Sequence, residues 1–147
     1  MTEEAKVKSV ALFYYLTLLD EAIAQHATEI TLTRCDRRIE KEKALATAWP
    51  AIIVNETNKA WQKFSLSKGK EVHRMPDVPG WQVPKTIDFG LWQEFSRKAE
   101  KNELLALVWS QILGFSDEDI AQGLNSSRGT IRHRVGRALR ELGRTKK

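Results

Sequence analysis

Arginine dominates the end of the chain. Residues 128–147 hold eight Lys or Arg against one Glu, a local net charge of +7, although the whole chain carries only +5. The guanidinium group donates paired hydrogen bonds to phosphate oxygens and to the guanine edge. This concentration of positive charge is the electrostatic pattern of a surface that binds nucleic acid. A solvated helix without a ligand is the alternative interpretation.

The same stretch has the spacing of an amphipathic helix. Apolar residues recur along one face at Ile131, Val135, Ala138 and Leu142, which predicts that this face is buried. With about 100° of rotation per residue, the opposite face carries polar, basic and glycine residues. They are Gly129, Thr130, His133, Gly136, Arg137, Arg140 and Arg144, with Arg132 and Arg134 on the flanks. The glycines would allow a partner to approach closely.

A shorter helix is predicted immediately before this one. Ser116 is a good N-cap, and Asp119 three residues later completes a capping-box pattern. The acidic residues of this first turn also lie where the helix dipole favours negative charge. Asn125 tolerates left-handed dihedral angles, so the helix is expected to end there. Ser126 or Ser127 can then cap the second helix, which makes the pair a helix-turn-helix.

These two helices resemble region four of bacterial RNA polymerase sigma factors, especially the short extracytoplasmic-function type. The family's first helix reads S-x-x-E-I-A-x-x-L, which this chain matches at Ser116, Asp119, Ile120, Ala121 and Leu124. The second reads S-x-G-T-V-K-S-R-L-x-R-A, matched at Ser127, Gly129, Thr130, Ile131, Arg132, Arg134, Val135, Arg137 and Ala138. An apolar helix, LLALVWSQILGF, precedes them as in the family, so the resemblance covers about residues 91–143.

The chain departs from the family at the turn and in the second helix. Asn125 and Ser126 stand where the family has Gly followed by Ile or Val, and His133 replaces a small residue. These departures bear on promoter preference more than on the fold. A LuxR-type helix-turn-helix shares some of the same elements, but it normally has His where this chain has Arg134, and it lacks the Gly-Thr pair.

In a helix-turn-helix the second helix enters the major groove of DNA, and phosphate contacts set its orientation. The candidate groove residues are Arg128, Thr130, Arg132, His133 and Arg137, and the candidate phosphate residues are Arg134, Arg140, Arg144, Lys146 and Lys147. The resemblance implies double-stranded promoter DNA, at the minus-thirty-five element, and core RNA polymerase as partners, and it leaves room for an anti-sigma factor. It also implies that the apolar surface of residues 104–113 helps to hold the polymerase flap.

The rest of the sequence predicts an all-α fold in two lobes. Residues 3–27 read as one long helix, and residues 35–64 as a second helical region that Pro50 either kinks or restarts. Residues 65–90 hold three of the four prolines and three of the eight glycines, a composition typical of a linker. The predicted organisation is an N-terminal helical domain (1–66), a linker (67–90) and a region four-like DNA-binding domain (91–147). Through Ala48, Trp49, Ile52 and Asn55 the N-terminal domain resembles region two, which binds core polymerase and melts the promoter.

The composition argues against several other classes of protein. A single cysteine, Cys35, excludes an internal disulfide and a cysteine-rich metal site, and the three isolated histidines predict no metal. A structural thiol is the favoured interpretation of Cys35, and the alternative is a redox sensor whose pKa is lowered by three nearby arginines, at positions 34, 37 and 38. The apolar run of residues 10–19 is shorter than the about 20 residues of a membrane span, and no signal peptide is visible. We expect a cytoplasmic protein without a cofactor.

The sequence favours a sigma-like transcription initiation factor that has no catalytic activity. Residues 1–110 contain no convincing nucleophile-and-base pair or acidic metal cluster, so an enzyme with a DNA-binding tail is not favoured. The main alternative is a stand-alone helix-turn-helix regulator whose N-terminal helices dimerise or sense a signal. Another is a protein that docks on polymerase and makes little contact with DNA.

Overall fold

The computed structural model describes residues 3–42, 49–67 and 88–145, and within these ranges the predicted all-α fold is confirmed. The seven α-helices are α1 (Glu3–Leu18), α2 (Glu21–Glu42), α3 (Trp49–Ser67), α4 (Phe89–Lys98), α5 (Lys101–Leu107), α6 (Asp117–Leu124) and α7 (Arg128–Thr145). A π-helical turn, Val108–Ile112, continues α5 directly. Most of the predicted linker, together with Ala48, Lys146 and Lys147, lies outside the described residues.

The N-terminal helices differ from the prediction in two places: a break lies at Leu19, and α2 (Glu21–Glu42) runs through residues 28–34, which separate the two predicted helical regions. A single helix over residues 3–27 is wrong, because the backbone leaves the right-handed helix at Leu19, which has a φ of 54°. The Asp20 carboxylate then accepts a hydrogen bond from the Ile23 amide at 3.1 Å and caps the start of α2. Pro50 is the second residue of α3, a first-turn position where its missing N–H costs no hydrogen bond. Residues 43–48, where the choice between a kink and a new helix lies, are outside the described residues.

Helix α1 is central to the fold. Its residues from Val10 to Leu18 are all buried, which agrees with an apolar surface that extends nearly all round the helix. It packs against α2, α3 and the π-helical turn. No helix in the described ranges is long and apolar enough to cross a membrane.

One continuous hydrophobic core takes buried residues from all seven helices. The Trp109 ring, from the π-helical turn, stacks on Phe13 of α1 with ring centroids 5.5 Å apart. Its indole N–H also donates to the Thr57 hydroxyl of α3 at 3.1 Å. Because the helices on both sides of the predicted linker share this core, the predicted two-domain layout is not confirmed.

The closest approach between the two regions is between α3 and α6. A Cβ built on Gly123 of α6 would lie 2.6 Å from the Ala51 carbonyl oxygen and 2.8 Å from the Val54 side chain. Real Cβ atoms do not occupy such positions, so only glycine allows this contact. Position 123 therefore determines how near α6 lies to the N-terminal helices.

A polar network holds the same contact from the side. The Asn55 amide donates to the Gly123 carbonyl oxygen at 2.9 Å, and the Arg38 guanidinium donates to the Asn55 side-chain oxygen at 2.6 Å. Arg38 and Lys59 also pair with the buried Glu56 carboxylate at 2.9 and 3.0 Å. Burial by itself would raise the pKa of Glu56, but hydrogen bonds and charge from Arg38 and Lys59 outweigh it and hold this pKa below its usual value. Glu56 therefore stays ionised and keeps Arg38 in place.

Replacing Gly123 with Ala is expected to lower the free energy of unfolding by about 1–3 kcal/mol, because the added methyl forces the backbones of α3 and α6 apart. Gly143→Ala is the matched control, since its added Cβ meets nothing within 4 Å and helix propensity predicts a gain of up to about 1 kcal/mol. Urea-induced unfolding measures both changes. Equal stability of the two variants would contradict the close α3–α6 contact.

Candidate nucleic-acid interface

The start of α6 has the predicted cap. The Ser116 hydroxyl accepts a hydrogen bond from the Asp119 amide at 3.1 Å, and the three acidic residues that follow Ser116 occupy the first turn. The side chain of Ile120 and the methyl of Ala121 are buried against the rest of the protein. This short helix is thus held both at its first turn and along its inner face.

The turn between α6 and α7 is built around Asn125. Its φ of 53° and ψ of 50° are left-handed, as predicted from its residue type. The Asn125 amide donates to the Gln122 carbonyl oxygen at 3.3 Å, and the Ser126 amide donates to the Ala121 carbonyl oxygen at 2.9 Å. These two bonds form a Schellman motif, which ends α6 and sets the direction in which α7 leaves.

Helix α7 begins with a cap from Ser127 rather than Ser126. The Ser127 hydroxyl accepts from the Thr130 amide at 3.1 Å and shares a second hydrogen bond of 2.9 Å with the Thr130 hydroxyl. Thr130 is half-buried and already engaged in this cap. Its hydroxyl is therefore oriented at the first turn of α7 and is less free than the arginines to reach a partner.

The predicted inner face of α7 is confirmed. Ile131 and Ala138 are fully buried and Val135 nearly so, and these residues pack α7 against α5 and α6. The predicted DNA-binding residues follow the other side of the helix. Thr130 and Arg134 are half-buried, and the exposed ones are Arg128, Arg132, His133, Arg137, Arg140 and Arg144. The fold thus brings all the predicted site residues that it describes onto one helix.

Three of these arginines form ion pairs within the protein. Arg132 pairs with Asp117 at 3.1 Å, Arg137 with Glu103 at 3.3 Å, and Arg144 with Glu141 at 3.2 Å. Exposed pairs of this kind contribute at most about 1 kcal/mol each, so a phosphate oxygen can replace the carboxylate. Among the residues that the structure describes, Arg128, Arg134 and Arg140 pair with no carboxylate. Arg137, Arg140 and Arg144 also surround one shallow polar pocket with Glu103 and Glu141.

The two glycines on the outer side of α7 are not required by the fold. A Cβ on Gly129 would meet only the Ser127 hydroxyl oxygen, at 4.0 Å, and one on Gly136 only the flexible Arg140 side chain, at 3.7 Å. Within the chain, both positions therefore have room for a methyl group. A requirement for glycine at these positions would come from a binding partner and not from the fold.

The apolar surface expected to hold the polymerase flap is largely occupied. Residues 104–109 are all at most 3% exposed, because they form part of the protein's own core. Of the expected range 104–113, the half-buried or exposed positions begin only at Ser110. A flap could contact residues 110–113, where Ile112 and Leu113 are half-buried, but could reach residues 104–109 only by opening the core.

The structure agrees with the favoured interpretation of Cys35 as a structural thiol and contradicts the redox alternative. Cys35 is 1% exposed, and burial, reinforced by the charges of Glu56 and Asp36, raises the pKa of its thiol to about 12. Arg34 and Arg37 are exposed, so they do not form a positive environment around the sulfur. Cys35 is a structural thiol. No group of His, Cys, Asp and Glu within the described ranges is arranged to hold a metal ion.

Sequence reasoning did not identify the polar contact behind the helix-turn-helix. Asn55 was assigned to a region two-like helix, yet its side chain hydrogen-bonds the Gly123 carbonyl oxygen of α6. The available signal was Gly123 itself, a glycine inside an amphipathic helix, which often marks a close approach to another backbone. Nothing local to the sequence indicates that α3 is the element that approaches.

Replacing Asn125 with Ala is expected to lower the free energy of unfolding by about 1–2 kcal/mol, because alanine pays the full cost of the left-handed conformation. Asn125→Gly is the control, and its stability should stay within about 0.5 kcal/mol of the parent protein. Thermal unfolding followed by circular dichroism measures both. A destabilised glycine variant would show that the Asn125 side chain, and not its backbone conformation, is what matters.

The chain was compared with known protein families, with characterised proteins and with solved structures. No family model, characterised protein or solved structure matches it. Any functional conclusion therefore rests on the residues and on the geometry of α6, the turn and α7.

Proposed function

We propose that this protein is a sequence-specific DNA-binding transcription factor that inserts α7 into the major groove of double-stranded DNA. The observation that carries the proposal is the capped α6, left-handed turn and α7 arrangement, with an arginine-rich side of α7 exposed to solvent. In a helix-turn-helix, the second helix lies in the groove and the first crosses the DNA backbone.

Position along α7 divides the arginines by role. Arg128 and Arg132 lie in its first turns, where base edges are reached, and His133 is exposed beside them. Arg134, Arg140 and Arg144 lie further round or further along the helix and suit phosphate contacts. The helix-turn-helix orientation brings the Ser127 cap and the N-terminus of α7, with its positive dipole end, towards the DNA.

Two further observations support a polyanion as the partner. The carboxylates that pair with Arg132, Arg137 and Arg144 sit at a partly exposed surface, where phosphate oxygens can exchange with them at little cost. Gly129 and Gly136 leave two positions on the outer side of α7 without a side chain, although packing within the chain does not require glycine at either of them. Both features fit a helix whose outer side is covered by a closely approaching backbone.

The motif resemblance favours a sigma factor-like protein within this proposal. Such a protein would bind core RNA polymerase and recognise the minus-thirty-five promoter element in the cytoplasm. Support comes from the matched residues of both helices and from the apolar helix that precedes them.

A stand-alone helix-turn-helix regulator is the second candidate, and one observation favours it. Helix α6 packs on α3, and residues 104–109 are buried in the same core. The N-terminal helices are therefore part of the body that presents α7. Such a body can pass a signal from the N-terminal helices to the DNA-binding helix without polymerase.

We expect the protein to select a preferred site from random duplex DNA and to bind it with a slope of log K against log salt near −5, if about six phosphates are contacted. Arg134→Gln should make this slope shallower by about 1, since it removes one phosphate contact. Arg128→Gln should weaken the selected site by about 1–3 kcal/mol and relax the preference for one base pair. Fluorescence anisotropy across a salt series measures all three quantities.

Lys8→Gln is the control for these charge changes, because Lys8 is exposed on α1 and its replacement removes the same unit of charge. Its affinity and slope should match those of the parent protein. Binding that is insensitive to salt, or a selection that yields no preferred sequence, would rule out the proposal.

The two forms of the proposal separate in a polymerase experiment. A sigma-like factor should co-elute with core RNA polymerase and direct run-off transcription from fragments that carry the selected site. A stand-alone regulator should bind the same fragments tightly but should not enable core polymerase to initiate transcription from them. The parent protein and the Arg128→Gln variant are compared, since only initiation that depends on α7 supports the sigma-like form.

A further inference from the structure

A cleft of about 390 Å³ lies where the end of α1 meets α3, α4 and the start of α5. Its walls combine an indole, two basic side chains and apolar groups, chiefly Trp61, Arg97, Lys101, Leu19, Ala99 and Leu104. Its size is within the range of small-molecule sites. Neither the DNA-binding proposal nor the sequence motifs give this cleft a role.

Trp61, one of the residues that line this cleft, has an unusual indole N–H. It is buried and has no hydrogen-bond partner in the described structure. Two other buried tryptophans have partners, since Trp92 donates to the Leu16 carbonyl oxygen at 2.7 Å and Trp109 donates to the Thr57 hydroxyl at 3.1 Å. A buried indole N–H normally finds an acceptor, and an unpaired one costs about 1–3 kcal/mol. An acceptor from outside the chain would relieve that cost.

Positive charge lies beside this donor. The Lys101 ammonium is 5.8 Å from the centre of the Trp61 ring, and Arg97 lines the same cleft. No acidic residue is among the residues that line it. The Trp61 N–H donor and the Lys101 ammonium together suit an anionic acceptor.

Apolar residues also line the cleft, and one of them is strained. They include Leu19, Ala99 and Leu104, and Leu19 has the left-handed φ of 54° that separates α1 from α2. A leucine in this conformation costs about 1–3 kcal/mol, and such residues cluster at binding sites. Leu19 and Leu104 are at most 3% exposed, whereas Ala99 and Trp61 are half-buried and leave apolar surface in the cleft.

We propose that the cleft binds a small organic anion, a carboxylate attached to an apolar body. The carboxylate would accept from the Trp61 indole and pair with Lys101, while the apolar body would pack against the half-buried Trp61 ring and Ala99. Because the indole N–H is closed to water in the described arrangement, binding includes a shift of a flexible wall side chain such as Lys101. The site does not depend on the DNA-binding proposal, and either can fail without the other.

Nuclear magnetic resonance of the full-length ¹⁵N-labelled protein tests this directly. The Trp61 indole resonance is assigned by its loss in Trp61→Phe, and benzoate and hexanoate are titrated to about 10 mM, with benzamide as the uncharged match to benzoate. We expect both carboxylates to move the Trp61 indole proton downfield with Kd values below about 1 mM, and benzamide to bind at least about tenfold more weakly.

Lys101→Gln should weaken binding of both carboxylates by about tenfold or more, since it removes the ion pair but keeps a polar side chain that is only one atom shorter. Lys63→Gln is the matched control, because Lys63 also lies over an aromatic ring, that of Phe64, but does not line the cleft. Three results would overturn the proposal: a Trp61 indole proton that neither carboxylate moves, a benzamide affinity equal to that of benzoate, or unchanged affinity in Lys101→Gln.

Discussion

The contact of α6 with α3 at Gly123 is the constraint on which the arrangement of the C-terminal helices depends. The absence of a side chain at position 123 lets α6 approach the Ala51 carbonyl oxygen and Val54 more closely than any other residue would allow. A close approach would leave backbone polar groups buried, and the Asn55 amide meets this need at the Gly123 carbonyl oxygen. Arg38 orients Asn55, and the ionised Glu56 holds Arg38, so a chain of polar contacts maintains the position of α6.

The outward direction of α7 follows from that anchor. The Schellman turn at Asn125 fixes the angle between α6 and α7, and Ile131 and Ala138 bury the inner side of α7. The arginines on the opposite side of α7, which make this helix strongly positive, are therefore exposed to solvent. Nearby carboxylates pair with some of them at a partly exposed surface, where each pair contributes at most about 1 kcal/mol.

The tryptophans show how the same residue type serves two purposes. Trp92 and Trp109 use their rings to fill the common core and their N–H groups to bind acceptors from distant helices, so they join α1, α3 and the C-terminal helices. Trp61 contributes area to the same core but leaves its N–H without an acceptor, next to two cations and a left-handed leucine. A buried N–H that has no acceptor within the fold can donate its hydrogen bond to a ligand instead.

Local residue patterns were enough to predict the helix-turn-helix. The Ser116 cap, the left-handed Asn125, and the alternating buried and basic sides of α7 depend on neighbours within a few residues, so the sequence alone determined them. The break at Leu19 was missed because leucine gives no local signal for a left-handed conformation. The shared core, the burial of residues 104–109 and of Cys35, and the pairing of Asn55 with Gly123 join residues far apart in the chain. Only the tertiary structure decided these features, because long-range packing depends on which surfaces meet and not on the spacing within any one segment.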